Sequence, residues 1–167
     1  MLVKQNPERA FERKTLADNL MVQKNYSRAK YHYQIVLTKN IPLEQRGYAL
    51  NNLAVIESHD NNLDLAMTYS QQALQALGPI PVVLDTRAWA LVLSGQYDEG
   101  LSMLRRAFSM SSNSTEIQYH IAYTLVKLDR KQDALEMLNL LLELPRDFEE
   151  KSLVETLLAE IDSPVTS

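Results

Sequence analysis

Four small residues recur through the chain at intervals of 37, 34 and 34 positions: Ala29, Ala66, Gly100 and Ala134. Each sits early in a short amphipathic stretch, YSRAKYHY, LDLAMTYS, YDEGLSML and KQDALEML. The clearest copy of the unit runs from Leu84 to Met110. Leu84, Ala88, Leu91 and Val92 place apolar groups three and four apart, as do Leu101, Leu104, Ala107 and Phe108. That spacing predicts two short helices joined by a tight turn at Gly95-Gln96. Neither is long enough to bury its apolar stripe alone, so each must pack on its partner and on neighbouring copies. A period of this length therefore restricts the chain to a stack of helix pairs. The three extra residues in the first interval fall near Asn40-Ile41-Pro42, where a turn absorbs them.

The periodicity predicts nine helices. A leader around Pro7–Arg13 runs into Thr15–Gln23, followed by Tyr26–Lys39, Leu43–Ser58, Leu63–Leu77, Val82–Leu93, Tyr97–Met110, Thr115–Leu128 and Lys131–Leu144. A last helix covers about Asp147–Ile161, and 163–167 is expected to be a disordered tail. Breaks fall at Asn25, Asp60-Asn61-Asn62, Gly78-Pro79-Ile80-Pro81, Gly95, Ser111–Ser114 and Pro145.

The pattern Leu16-Ala17, Tyr26, Ala29, Tyr33, Val36 is followed by Leu53-Ala54, Leu63, Ala66, Ser70, Ala73. A third set is Ala88, Gly95, Tyr97, Gly100, Leu104, Ala107, and a fourth is Ile121-Ala122, Leu125, Ala134, Leu138, Leu141. On these residues the chain resembles the tetratricopeptide-repeat family over about residues 10–146. The resemblance implies an all-α, right-handed superhelical solenoid of antiparallel helix pairs. It forms one domain, 1–162, with repeats at about 10–43, 44–80, 81–114 and 115–146 and a capping helix at 147–161. LDTRAW, SGQYDEGL and EIQYHIAYTL are also similar to the C-terminal repeats of exosortase-associated tetratricopeptide lipoproteins. That likeness implies a place in bacterial export or exopolysaccharide assembly.

Composition excludes several function classes. A net charge of −4 with no basic run gives no pull towards nucleic acid or anionic lipid. Without cysteine there is no disulfide or thiolate chemistry. No apolar run reaches the ~20 residues of a membrane span. Nor is there a secretory stretch at the start, so a cytoplasmic location is expected, or a periplasmic one if the sequence is cut from a longer exported chain. His32, His59 and His120 show no metal-ligand spacing, and no phosphate loop or nucleophile motif appears. An enzyme, a cofactor and a metal are therefore not expected.

The resemblance puts the first helix of each repeat on the concave face. The partner-binding positions are then Tyr48, Asn51, Asp85, Trp89, Tyr119 and Tyr123, with Val55, Ser58 and Glu116 in the same register. Asp85 and Trp89 share one helix face, and Tyr119 and Tyr123 another. Trp and Tyr combine large apolar area with a polar handle, which suits gripping a peptide. The alternative is that these aromatics only fill gaps between helices. Some members of the family clamp a carboxylate tail with cations. Here Lys14 and Asn51-Asn52 are in place, but Asp18, Val82 and Thr86 stand where the clamp needs others.

Two polar residues interrupt apolar slots in neighbouring first helices, Glu57 and Arg87. An unpaired buried charge is costly, so an ion pair between them is one expectation and separate exposure of each to solvent is the other. At the carboxyl end, Leu153, Leu157 and Ile161 form an apolar stripe opposite a polar face, the pattern of a cap. The amino end lacks such a cap, and Phe11, Leu16, Leu20 and Met21 need cover from preceding repeats or from a second copy. The expected function is a non-enzymatic scaffold that holds a protein or peptide in an aromatic groove. The alternative is an assembly element that self-associates through its amino-terminal end.

Overall fold

The structure, a computed structural model, describes residues 7–162. Among the described residues there are nine helices and no strand: α1 Pro7–Val22, α2 Tyr26–Leu37, α3 Leu43–His59, α4 Leu63–Leu77, α5 Pro81–Leu93, α6 Tyr97–Met110, α7 Thr115–Lys127, α8 Lys131–Leu142 and α9 Lys151–Asp162. Helices α1 to α8 pack as four successive pairs, each pair resting on the next, with α3 also touching α5 and α5 touching α7. The expected leader and first repeat helix are one continuous helix, because nothing between Pro7 and Val22 breaks it. The expected tail, 163–167, lies outside the described residues.

The small residues do what the period requires. Ala29, Ala66 and Ala134 are fully buried, and a methyl group built on Gly100 would lie 2.5 Å from a Val92 methyl and 3.1 Å from the Ala88 carbonyl. Helices α5 and α6 cross there backbone to backbone, so only the absence of a side chain permits the contact. Around these crossings run the apolar clusters of the interior. One centres on Leu84, Ala88, Leu104 and Ile121 in the third and fourth pairs, and another on Ala17, Tyr33, Leu53 and Ile56 in the first two.

The turn inside each pair is also periodic, which the sequence hides. Lys24, Asn61, Gly95 and Asp129 all take a left-handed backbone, with φ of 55°, 58°, 82° and 58°. In each case the next residue's N–H returns to a carbonyl five positions back: Asn25 to Leu20, Asn62 to Glu57, Gln96 to Leu91 and Arg130 to Leu125, at 2.8 to 2.9 Å. This is the 6→1 bond of the Schellman helix end. Only the third copy uses the glycine that the conformation favours.

The expected pair between Arg87 and Glu57 does not form. Glu57 is fully buried and takes Lys30 Nζ at 2.8 Å and Asn62 Nδ2 at 2.9 Å. The Arg87 guanidinium donates instead to the Met67 carbonyl at 3.0 Å and approaches Ser70 Oγ at 3.4 Å, both on α4. Each charge thus found a partner on the helix it packs against, Glu57 from α2 and Arg87 from α4. Separate exposure of both does not describe them either, since Glu57 has no surface.

At the carboxyl end, Val154 and Leu157 of α9 are buried against Tyr119, Ala122, Leu138 and Leu141. The helix begins at Lys151 rather than at Asp147. Residues 147–150 stay irregular, with Phe148 packed inward and the Glu150 carbonyl accepting from the Val154 N–H at 2.9 Å. At the amino end Leu20 is buried and Met21 is partly packed, whereas Phe11 and Leu16 remain exposed.

Candidate partner-binding groove

Side chains of α3, α5 and α7 meet on one face, with two of its hollows beside α5 and α7. Asp85 and Trp89 stand one turn apart on α5. Glu116, Tyr119, His120 and Tyr123 occupy the facing surface of α7. Across the gap the His120 Nδ1–H donates to Asp85 Oδ1 at 2.9 Å, with both residues buried. The Trp89 ring stacks on the His120 imidazole, centroids 4.0 Å apart and planes inclined by 14°. Tyr123 meets Trp89 edge-on at 5.1 Å, and Tyr119 lies 6.4 Å from it.

Two hollows open from this cluster. One, of about 300 Å³, is lined by Tyr26, Val55, Ser58, His59, Asp85, Thr86, Trp89, Leu93, Glu116 and His120. The other, about 550 Å³, adds Lys24, Tyr119, Glu149, Glu150 and Leu153. They share Tyr26, Trp89, Glu116 and His120, so Trp89 forms a wall common to both. Lys24, in the turn of the first pair, meets Glu149, just ahead of α9, at 2.7 Å. The first pair and the last segment therefore approach each other over the mouth of the groove.

The electrostatics of this face are acidic. Asp85, Glu116, Glu149 and Glu150 converge on it, against Lys24, His59 and His120. Burial disfavours the charged form of His120. The Asp85 carboxylate, by charge and hydrogen bond, and the nearby Glu116 and Glu150 outweigh it and raise the His120 pKa above its ordinary value. Enclosure pushes the Glu116 carboxyl up, and the negative charge of Asp85 adds to the effect, although the side chain still reaches solvent. Burial first, then Tyr123, pushes the Tyr119 hydroxyl up to about 12, so it is a neutral donor at any ordinary pH. One ligand atom each from Asp85, Glu116 and His120 lies within 4.8 Å of the others. Nothing in the spacing of these residues along the chain signals that approach.

Of the expected positions, the structure brings Asp85, Trp89, Tyr119 and Tyr123 together. Tyr48 and Asn51 stand apart from both hollows. Asn51 is 3% exposed, and Tyr48 carries the Lys14 ammonium 5.9 Å from its ring centre. Tyr119, at 8% exposure, is as much wall as surface. Three contributors escaped the repeat register. His120 sits one residue off the groove stripe and meets Asp85 and Trp89 across the gap. Glu149 and Glu150 lie outside the repeats altogether, in the irregular segment before α9.

Residues 91–161 match the sequence profile described as "Tetratricopeptide repeat". Over that stretch the chain carries tetratricopeptide repeats. Solved structures of such repeats share its architecture at low identity. A thermophilic tetratricopeptide-repeat protein of Thermus thermophilus is 17% identical over 91% of this chain and 80% of its own, with a TM-score of 0.73. The first tetratricopeptide domain of Spaghetti (RPAP3), bound to the HSP90 peptide SRMEEVD, is 14% identical over 74% of this chain and 96% of its own, TM-score 0.63. YrrB, described as having an unusual peptide-binding site, is 18% identical over 90% of this chain and 74% of its own, TM-score 0.65. At these identities the likeness establishes the fold. No curated protein matches the chain. Within the helical array, Lys14 is tied to Asp18 at 2.8 Å and Arg87 to α4, so neither cation is free for a carboxylate clamp. No helix among the described residues is long and apolar enough to cross a membrane.

Proposed function

We propose that this chain is a non-enzymatic scaffold that holds a segment of a partner protein in the groove between α5 and α7. The observation that carries this reading is the joint exposure of Trp89 to two adjoining hollows whose walls come from several elements. Aromatic surface open to solvent between rigid helices is what a bound peptide uses for most of its binding energy. Two of the similar structures carry peptide binding in their descriptions, which supports the reading. The chemistry on this face is consistent with recognition. His120 and Asp85 are occupied with each other.

Glu116→Arg, in the mouth of the groove, tests this. The expected result is loss of partner retention on immobilised protein with an unchanged melting temperature, while Tyr31→Arg on the outer face of α2 retains the partner. Equal retention by both variants would count against the groove.

A second reading has its own observation. Phe11, Leu16 and Val22 of α1 are 58%, 42% and 84% exposed, an apolar margin at the first pair that a second copy would cover. Light scattering on a sizing column at rising concentration decides it, and a strict monomer throughout would dismiss self-association.

A further inference from the structure

Resting on the groove reading, we infer that the segment held there is basic and that a lysine or arginine side chain enters the hollow between Trp89 and Glu116. Charge is the first argument. Four carboxylates, Asp85, Glu116, Glu149 and Glu150, face the two hollows. Lys24 answers Glu149 at 2.7 Å, and His120 answers Asp85 at 2.9 Å. Glu150 takes only the Thr115 hydroxyl, at 2.7 Å, and Glu116 has no ion-pair partner of its own among the described residues. The face therefore keeps uncompensated negative charge even with His120 protonated. An acidic or carboxylate-terminated segment would meet it with repulsion.

Shape is the second argument. The hollow of about 300 Å³ has aromatic and apolar walls from Tyr26, Val55, Trp89 and Leu93, and its carboxylates come from Asp85 and Glu116. A long side chain with an apolar stem and a cationic end matches that order: the stem packs on the rings and the head reaches Glu116. Ser58 adds to the fit. The residue lines the same hollow, and its buried hydroxyl oxygen has no hydrogen-bond partner among the described residues. A guanidinium or ammonium N–H would supply one once the Ser58 side chain turns towards the hollow. The single tryptophan of the chain is Trp89, so its emission reports on this site and no other.

The test uses the whole chain, labelled, on an array of acetylated and amidated random peptides spanning acidic, neutral and basic net charge. Peptides retained on the array are then titrated in solution while Trp89 emission is followed. Basic peptides should be retained preferentially and should shift that emission. Their affinity should fall roughly tenfold in Glu116→Gln/Glu150→Gln and again at high salt. Should the double variant not fold, Glu116→Gln alone and the salt dependence of the wild type carry the same test. Peptides that shift Trp89 emission without a preference for basic charge would overturn the inference and leave the groove reading standing. Peptides that bind without touching Trp89 emission, or no binding at all, would overturn both. A Zn²⁺ titration is the last arm. Micromolar Zn²⁺ that shifts Trp89 emission and is lost in Glu116→Gln would make the acidic cluster a metal centre and overturn the inference.

Discussion

Glu57 and Arg87 show how a single charged residue is accommodated in a repeat array. Glu57 lies with no exposed surface and depends on Lys30 and Asn62 for compensation. Removing the cation leaves a buried carboxylate with one amide partner, so Lys30→Met should cost about 3 kcal/mol, measured by urea unfolding. Tyr33 is similar on a smaller scale. Its buried hydroxyl donates to Asp18 Oδ1 and accepts from Asn52 Nδ2, each at 2.7 Å, and Tyr33→Phe should cost about 1–2 kcal/mol. His120 adds a pH dependence. Its folded pKa is raised above the unfolded value of about 6.5, chiefly by Asp85 against the opposing effect of burial. The stabilisation from this pair is complete below about pH 6.5 and is lost as pH rises through the folded value. The stability difference between wild type and His120→Gln should therefore shrink as pH is raised. A constant difference would mean that the pair contributes no proton-linked stability.

At the level of helices and turns, much is legible in the sequence. The period, the small residues at the crossings and most helix ends follow from the sequence, because they rest on local spacing and on steric limits at backbone contacts. Gly100→Val tests the steric limit directly. The added side chain meets Val92 and the Ala88 carbonyl, and an expected cost of about 2–3 kcal/mol would appear as an earlier thermal transition. The left-handed turns were legible only at Gly95, since Lys24, Asn61 and Asp129 give no glycine signal. Asp129→Gly should accordingly stabilise the protein by about 0.5–1 kcal/mol by relieving that backbone position. The charge partners were not legible. The sequence shows that Glu57 and Arg87 occupy apolar slots, but which neighbouring helix supplies each partner depends on side-chain reach in three dimensions. The irregular segment before α9 was missed for a related reason. Its acidic residues read equally well as the first turn of a helix, and only the packing of Phe148 and the bonds to Lys24 and Thr115 hold them out of one.

Across the whole molecule, the groove belongs to no single repeat. Its walls come from the turn of the first pair and the start of α2, from α3, α5 and α7, and from the segment before α9 and α9 itself, so four stacked pairs and a cap are needed to complete it. The aromatic stripe was visible in the sequence, yet its acidic character was not, because Glu149 and Glu150 lie outside the repeat register and His120 lies beside it. The account rests on a partner segment lying on this face. Photo-cross-linking with p-benzoylphenylalanine tests that most directly, placed in turn at Tyr26, on the wall of both hollows, and at Tyr31, 59% exposed on the outer face of α2. The account predicts a partner adduct from position 26 and none from position 31. An adduct from position 31 alone would contradict it.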